Sequence, residues 1–235
     1  MTLLSTRGLS KSFAGLQAVS GVDLDLRQGE VRALIGPNGA GKTTLVGMIC
    51  GRITPTSGQV MFDGREITRL PAHKRMLMGM AYTFQITSVF TGLSVAENVT
   101  LAARRRVPHS GLSDAVTTAL RRVGLSEHVE QEAGDLSYGH QRLLEIAMGL
   151  VQGPRLLILD EPTQGLTEAE VDRFKALIRE LAGETTILLI EHNMSVVMET
   201  ADRVTVLNFG EVLAEGTPDE VRANAEVQAA YLGGD

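Results

Sequence analysis

A glycine-rich loop between a buried strand and a helix constrains the fold of this chain more than any other feature. Residues 36–43, GPNGAGKT, fit the pattern G-x-x-x-x-G-K-[ST] and follow a strand predicted at Val31–Ile35. A helix is predicted directly after the loop, over Lys42–Cys50. In this context the glycines let backbone amides converge on phosphate oxygens, and the helix amino end adds its dipole. We expect Lys42 to neutralise the β- and γ-phosphates of a nucleotide and the Thr43 hydroxyl to hold Mg²⁺.

Further apolar runs predict a parallel sheet covered by helices. Residues 156–159 and 187–190 are continuously apolar, as expected of strands buried on both faces. Each precedes a polar turn and a helical pattern, which is the alternation typical of an α/β domain. Residues 21–27 alternate between apolar and polar and predict a half-buried strand. The end of the chain predicts a hairpin with strands at 203–208 and 211–214.

Residues 91–153 differ from the rest of the chain because helical signals replace strand-like runs. Ser94 with Glu97 three residues later forms a capping-box pattern, and residues 115–123 have helical spacing. We interpret this region as a helical insertion in an α/β core. The basic residues 104–106 are typical of a solvated helix end, with phosphate binding as the alternative.

Composition narrows the class of protein. The 235 residues include 22 basic and 28 acidic side chains, a net charge of −6 that disfavours nucleic acid as a partner. The single cysteine, Cys50, cannot form an internal disulfide, which fits a reducing compartment. The uncharged stretch 76–96 contains Gln85, several hydroxyl side chains and two glycines, so its insertion into a membrane is unfavourable. We expect a cytosolic chain.

Two further segments carry groups suited to phosphate chemistry. The strand at 156–159 ends in Asp160 and Glu161; the first carboxylate can reach Mg²⁺ and the second can polarise an attacking water. Taken alone, this pair is equally typical of a solvated strand end. Ser137 is a suitable N-cap for the next helix, and Gly139 leaves backbone amides uncovered, which predicts a second anion-binding helix start or simply a capped helix.

Together these motifs resemble the ATP-binding subunits of ABC transporters. The phosphate loop, LSYGHQ shortly before LLILDEP, and an isolated histidine after a later strand occur in that family's order, and the resemblance covers essentially the whole chain. It implies an α/β fold: a P-loop NTPase core of ABC ATPase type with an antiparallel β subdomain and an inserted helical subdomain. It also implies a single ATP-binding domain, 1–235, whose helical subdomain spans about 91–153.

The resemblance implies roles for individual residues. Phe13 would stack on adenine, and Gln85 would sense Mg²⁺ and the membrane subunit. Ser137 and Gly139 would touch the γ-phosphate held by the opposite subunit. His192 would contact the γ-phosphate, although by itself it is typical of a structural histidine. The expected catalytic residues are thus Glu161 and His192, and the metal ligands Thr43, Gln85 and Asp160. The expected ATP-binding residues are Phe13, Gly36, Pro37, Asn38, Gly39, Ala40, Gly41, Lys42, Thr43, Thr44, Gln85, Ser137 and Gly139.

The resemblance also implies partners. Two ATP-binding chains, identical or merely similar, would pair head-to-tail and bind transmembrane permease subunits on the inner face of the cell membrane. A solute-binding protein would act indirectly, and nucleic acid would not be a partner. Residues 86–95 would lie beside the permease, with Val89 and Phe90 either exposed to it or packed in the core.

Within the family, the chain is most similar to the ATPases of branched-chain amino acid importers. RGLSKSFAGLQAV, TFQ, LSYG with LEIA, IEHNM and the closing YLG carry this resemblance. Urea and short-amide importers share much of it, and an exporter subunit, a non-transport ABC ATPase or a regulatory subunit with little hydrolysis remain alternatives. Three residues depart from the usual motifs: Tyr138, His140 and Thr167. We expect the Thr167 hydroxyl to cap the following helix, and none of the three departures removes a residue needed for hydrolysis.

Overall fold

The computed structural model describes residues 1–83, 88–104 and 106–232; for residues 231 and 232 it describes the backbone only. The described residues form ten strands: β1 (Thr2–Phe13), β2 (Leu16–Arg27), β3 (Val31–Ile35), β4 (Ser57–Phe62), β5 (Arg65–Glu66), β6 (Met80–Tyr82), β7 (Leu156–Asp160), β8 (Thr186–Ile190), β9 (Arg203–Asn208) and β10 (Glu211–Gly216). The α-helices are α1 (Lys42–Cys50), α2 (Ala72–Leu77), α3 (Val95–Ala103), α4 (Leu112–Arg122), α5 (Tyr138–Leu150), α6 (Glu168–Leu181), α7 (Met194–Thr200), α8 (Pro218–Ala223) and α9 (Ala225–Leu232).

The central sheet has six strands in the order β10-β9-β3-β8-β7-β6. Neighbouring strands are parallel except for the antiparallel pair β9 and β10. Alternate residues of β7 and β8 belong to different hydrophobic clusters: Leu157 and Leu189 face one layer, Ile158 and Leu188 the other. This confirms the prediction of strands buried on both faces and the prediction of the terminal hairpin.

A second, antiparallel sheet has the order β2-β1-β4-β5 and packs its apolar face over α1. Strand β2 begins five residues before the predicted segment 21–27, because its first residues pair with the end of β1. Strand β1 was not predicted, because its pairing with β2 shifts register between Thr6 and Leu9 and interrupts the two-residue alternation.

Helices α3, α4 and α5, which come between β6 and β7 in the sequence, pack together. The predicted capping box at Ser94 and Glu97 is confirmed, with both reciprocal hydrogen bonds present. Arg106 donates hydrogen bonds to the Met76 and Leu77 carbonyl oxygens at 2.7 and 2.8 Å, so it joins this region to α2. Within the described ranges, none of the helices combines the length and the apolarity that crossing a membrane requires.

Three arginines, Arg32, Arg75 and Arg142, are buried in the core, and two of them have clear structural roles. Arg32 interrupts the apolar face of β3, and its charge is compensated by Glu30, whose Oε1 lies 2.6 Å from Arg32 Nε. Arg75 donates to the Met48 and Ile49 carbonyl oxygens, both at 2.7 Å, in the last turn of α1. Because a helix leaves its final carbonyls without intrahelical donors, Arg75 fixes the carboxyl end of α1.

Candidate functional site

The carboxyl ends of β3, β7 and β8 meet at a cavity of about 380 Å³. This is the edge of a parallel sheet at which ligands generally bind. The loop after β3, the start of α1, and residues that end β7 and β8 contribute to its wall. The cavity is lined by Leu16, Gln17, Ala18, Asn38, Gly39, Ala40, Gly41, Lys42, Thr43, Thr44, Asp160, Glu161, Ile190 and Phe209.

The phosphate-loop motif forms one side of this cavity. Gly41 stands at the N-cap of α1 with φ +100 and no side-chain cap, so the first amides of the helix remain available to a ligand. A Cβ on Gly36 would collide with the Leu207 carbonyl oxygen, and one on Gly41 would lie 2.5 Å from the Ala18 carbonyl oxygen. The two glycines are therefore required by the close approach of neighbouring backbone.

Lys42 reaches back over the loop that precedes it. Its Nζ donates to the Gly36 and Pro37 carbonyl oxygens at 2.6 and 3.0 Å. Burial lowers the pKa of the Lys42 ammonium, while the nearby Glu161 and Asp160 carboxylates oppose that effect. The cation is thus placed where the phosphate chain of a nucleotide would lie.

Asp160 ends β7 beside the loop and is held by Tyr82. The Tyr82 hydroxyl donates to Asp160 Oδ2 at 2.8 Å, and the Asp160 amide donates to Thr83 Oγ1 at 3.3 Å. Burial raises the pKa of the Asp160 carboxyl, and the Tyr82 hydrogen bond works against this rise. The sequence interpretation missed Tyr82, whose only signal was its position just before the TFQ segment.

Thr43 and Asp160 offer a hydroxyl and a carboxylate oxygen to the same cavity. Hard oxygen ligands of this kind suit Mg²⁺, which usually keeps several waters and binds substrate phosphates beside one or two protein groups. Among the described residues, no cluster of three or more His, Cys, Asp or Glu side chains is placed to hold a metal. The donor set therefore fits a cation that arrives with phosphate better than one held by protein alone.

Glu161 has a backbone conformation that non-glycine residues rarely adopt, with φ +49. Its amide donates to the Ile190 carbonyl oxygen at 2.9 Å, which ties this turn to the end of β8. The Glu161 carboxylate lines the cavity, and His192 Nδ1 lies 3.9 Å from Glu161 Oε1. The two residues expected to be catalytic thus lie side by side, and His192 is well exposed.

A buried carboxylate, Glu191, organises the two turns that carry these residues. Glu191 Oε1 accepts from the Thr163 amide and hydroxyl at 3.0 and 2.6 Å, and Oε2 accepts from the His192 and Asn193 amides, both at 3.1 Å. It thereby joins the turn after Glu161 to the segment that holds His192. The sequence analysis gave it no role, because its partners at 163 lie 28 residues away.

Ser137 and Gly139 lie at the start of α5, outside the residues that line the cavity. Ser137 Oγ accepts from the His140 amide at 3.2 Å, which confirms the predicted N-cap. A Cβ on Gly139 would lie 3.0 Å from Leu166 Cδ2, so this helix start packs closely on the loop that precedes α6. Both residues therefore lie apart from the lining of the cavity, at the contact between the start of α5 and the loop before α6.

His140 and Thr167, two of the residues that depart from the usual motifs, both contact Glu170 where α5 and α6 begin. His140 Nε2 lies 3.2 Å from Glu170 Oε1. Thr167 caps α6 as predicted: its hydroxyl donates to Glu170 Oε2 at 2.8 Å and accepts from the Glu170 amide. The Thr167 hydrogen bonds lower the pKa of the Glu170 carboxyl. Glu170 thus links the start of α5 to the start of α6.

The remaining sequence-predicted residues have different outcomes. Phe13 ends β1, half-exposed and outside the cavity lining, with Lys11 Nζ 4.9 Å from its ring centroid. Gln85 lies outside the described residues. Val89 packs against the core, whereas Phe90 is exposed. Phe209, which the sequence analysis treated only as part of a hairpin turn, lines the cavity.

Comparisons of the sequence and of the fold with known proteins identify relatives of the same family. The family model described as ABC transporter matches residues 19–164, and the model described as Branched-chain amino acid ATP-binding cassette transporter matches residues 211–235. The chain is 42% identical to the high-affinity branched-chain amino acid transport ATP-binding protein BraF of Pseudomonas aeruginosa and 43% identical to LivG of Salmonella typhimurium, covering 98% of both chains in each case. A crystal structure of the ADP conformation of an ATP-binding cassette of an ABC transporter matches with a TM-score of 0.89 and 28% identity over 99% of both chains.

Proposed function

The chain belongs to the ABC transporter family as an ATP-hydrolysing, nucleotide-binding subunit, and from this premise we propose that it energises an importer of branched-chain amino acids. The match of its last residues, 211–235, to a model of branched-chain amino acid cassettes supports the choice of solute class. So does the identity of about two residues in five with BraF and LivG over nearly the full length of each chain. We propose one ATP-binding domain over 1–235, with its helical subdomain at about 91–153.

One observation carries the proposed chemistry: the loop with Lys42 and Thr43 and the acidic pair Asp160 and Glu161 line one cavity. The loop amides and the Lys42 ammonium would bind the phosphate chain of ATP. The Thr43 hydroxyl and the Asp160 carboxylate would hold Mg²⁺, which would neutralise phosphate charge, and Gln85 would complete that set.

Glu161 would orient the water that attacks the γ-phosphorus and would accept its proton. A general base must lie within hydrogen-bonding reach of the water, directly or through one other water. His192, 3.9 Å away, would contact the γ-phosphate and hold Glu161 in orientation. The rare backbone conformation of Glu161 supports such a role, since strained residues occur often at functional sites.

Ser137 and Gly139 lie outside their own cavity lining, which supports a site completed by a second subunit. We propose that two such chains, identical or similar, pair head-to-tail, so that the start of α5 in one contacts the γ-phosphate bound by the other. The pair would bind transmembrane permease subunits on the inner face of the cell membrane, with a solute-binding protein acting indirectly. ATP would then shift an open–closed equilibrium.

The variant Glu161→Gln tests the catalytic assignment. We expect it to bind ATP as the wild type does, to hydrolyse it at least about 100-fold more slowly and to accumulate as a closed dimer. Glu180→Gln is the matched control, because Glu180 is an exposed carboxylate on α6 that pairs with the surface residue Arg122 at 3.0 Å. Unchanged turnover in Glu161→Gln would contradict the assignment.

Co-purification and a transport assay test whether the chain serves an importer and which solute that importer carries. The tagged chain should co-purify from mild detergent with two hydrophobic permease subunits, and the complex in proteoliposomes should accumulate labelled leucine in an ATP-dependent manner. Uptake of urea instead of leucine would assign the chain to the related urea importers. Recovery of ribosomal proteins or nucleic acid without a membrane protein would contradict a transport function.

A further inference from the structure

Two large apolar side chains are exposed at the mouth of the nucleotide cavity. Phe209 is 87% exposed and Leu16 72% exposed, and both belong to the same lining as the phosphate loop. Most large apolar residues of this chain are buried, so their position here requires an explanation. Among the described residues that line the cavity, Phe209 alone is aromatic.

Phe209 also occupies an unfavourable backbone position. Asn208 pairs with Glu211, so the turn between β9 and β10 has two residues, Phe209 with φ +46 and Gly210 with φ +83. Two-residue turns with both φ values positive strongly favour asparagine or aspartate followed by glycine. A bulky residue in this conformation is a true outlier, and such outliers concentrate where function requires them.

The turn that carries Phe209 is fixed to the phosphate loop. The Gly210 amide donates to the Ala40 carbonyl oxygen at 2.9 Å, and the Gly210 carbonyl oxygen accepts from the Ser20 amide at 2.8 Å. A Cβ on Gly41 would lie 3.4 Å from Gly210 Cα, so the two backbones are in close contact. The backbone that carries Phe209 is therefore held at a defined place relative to the phosphate loop.

We propose that Phe209 forms an apolar wall against the base of the bound nucleotide, with Leu16 as its neighbour across the cavity mouth. The polar groups of the cavity would bind the phosphates, so the base would lie away from them, at the exposed side of the cavity. An aromatic ring there gains stacking and removes apolar surface of both groups from water. Phe13, the residue expected to stack on adenine, pairs with Leu16 but lies outside the lining, so Phe209 would contact the base in addition to Phe13. This inference rests on nucleotide binding by the same cavity.

Calorimetric titration of the nucleotide-free chain with ATP, ADP and inorganic tripolyphosphate tests the proposal. Phe209→Asn introduces the residue that the turn prefers, so we expect its thermal unfolding midpoint to be no lower than that of the wild type. We expect its Kd for ATP and ADP to rise about tenfold, as for loss of one stacked base. The Kd for tripolyphosphate, which has no base, should not change. Phe209→Trp should retain tight nucleotide binding, and Phe90→Ala, which removes an exposed phenylalanine elsewhere, should behave as the wild type.

Three results would overturn the inference. Unchanged ATP and ADP binding in Phe209→Asn would show that the ring does not contact the base. Equal weakening of tripolyphosphate would show that Phe209 only shapes the phosphate loop. A defect confined to the dimer would place the ring at a subunit contact. Failure of the wild-type chain to bind either ATP or tripolyphosphate would instead contradict the proposed function.

Discussion

Replacing Glu191 by glutamine exchanges a buried carboxylate that accepts four hydrogen bonds for a neutral amide of the same shape. Both carboxylate oxygens accept from two donors each, at 2.6–3.1 Å. An amide keeps only one acceptor oxygen. The least costly orientation points that oxygen at the His192 and Asn193 amides and the NH₂ at Thr163, whose hydroxyl can rotate to accept. The Thr163 amide is then left facing a donor.

The loss of stability follows from this count. Three bonds change from charged to neutral acceptors, each losing about 1 kcal/mol, and a buried amide without a partner costs about 1–3 kcal/mol. Relief from burying the Glu191 charge offsets part of that sum. We expect the free energy of unfolding to fall by about 3 kcal/mol in Glu191→Gln.

Urea denaturation of the nucleotide-free chain measures that change, with Glu180→Gln as the exposed control. We also expect kcat for ATP hydrolysis to fall about tenfold or more, because Glu161 and His192 lose their common support. The Kd for ATP should stay within about twofold, since Glu191 does not line the cavity. A loss of stability below about 1 kcal/mol, the value of an exposed pair, would refute the reasoning.

Three further variants test other parts of the site. Because burial raises the pKa of Asp160, ionisation of this carboxyl destabilises the fold as pH rises through its raised pKa. In EDTA, Asp160→Asn should therefore unfold at a higher temperature than wild type at pH 7, by a margin that shrinks toward pH 4, and it should not hydrolyse ATP. A lower unfolding midpoint than wild type at pH 7 would contradict the expected sign. The Glu170 pKa is lowered, so the stability that its carboxylate contributes is present above the ordinary glutamate pKa and is lost as pH falls through the lowered pKa. In urea titrations, Glu170→Gln should lose about 1 kcal/mol of unfolding free energy at pH 7, the value of a helix cap, and should match the stability of wild type in acid. Equal stability at pH 7 would contradict the role of the cap. Ser137→Arg should bind ATP as a single chain yet fail to turn it over; loss of binding would contradict a site completed by a second subunit.

Sequence reasoning predicted those parts of the structure that are determined by residues close together in the sequence. Apolar runs identified β7 and β8, because each residue in them packs into one layer or the other. The motif at 36–43 located the phosphate loop, because neighbouring backbone approaches Gly36 and Gly41 so closely that a side chain would not fit there. Hydroxyl residues ahead of α3, α5 and α6 predicted caps that the structure confirms at Ser94, Ser137 and Thr167.

What sequence reasoning missed depends on contacts between distant segments. Glu191 is adjacent to a predicted site residue, yet its function comes from Thr163, which only the pairing of β7 with β8 brings near. Tyr82 acquires its partner Asp160 in the same way, through the pairing of β6 with β7. Phe209 reaches the cavity because β9 lies beside β3 in the sheet, which a hairpin prediction does not specify.

The guanidinium of Arg75 places a positive charge at the carboxyl end of α1, and the proposed nucleotide site lies at the opposite end of this helix. The helix has nine residues and is about 13 Å long at 1.5 Å per residue. A positive charge at the carboxyl end and a negative ligand at the amino end both act favourably on the helix dipole. Phosphates bound at the proposed site would thus be one half of a charge arrangement that spans α1, and Arg75 would be the other half. A residue far from the proposed nucleotide site would in this sense be part of its electrostatic environment.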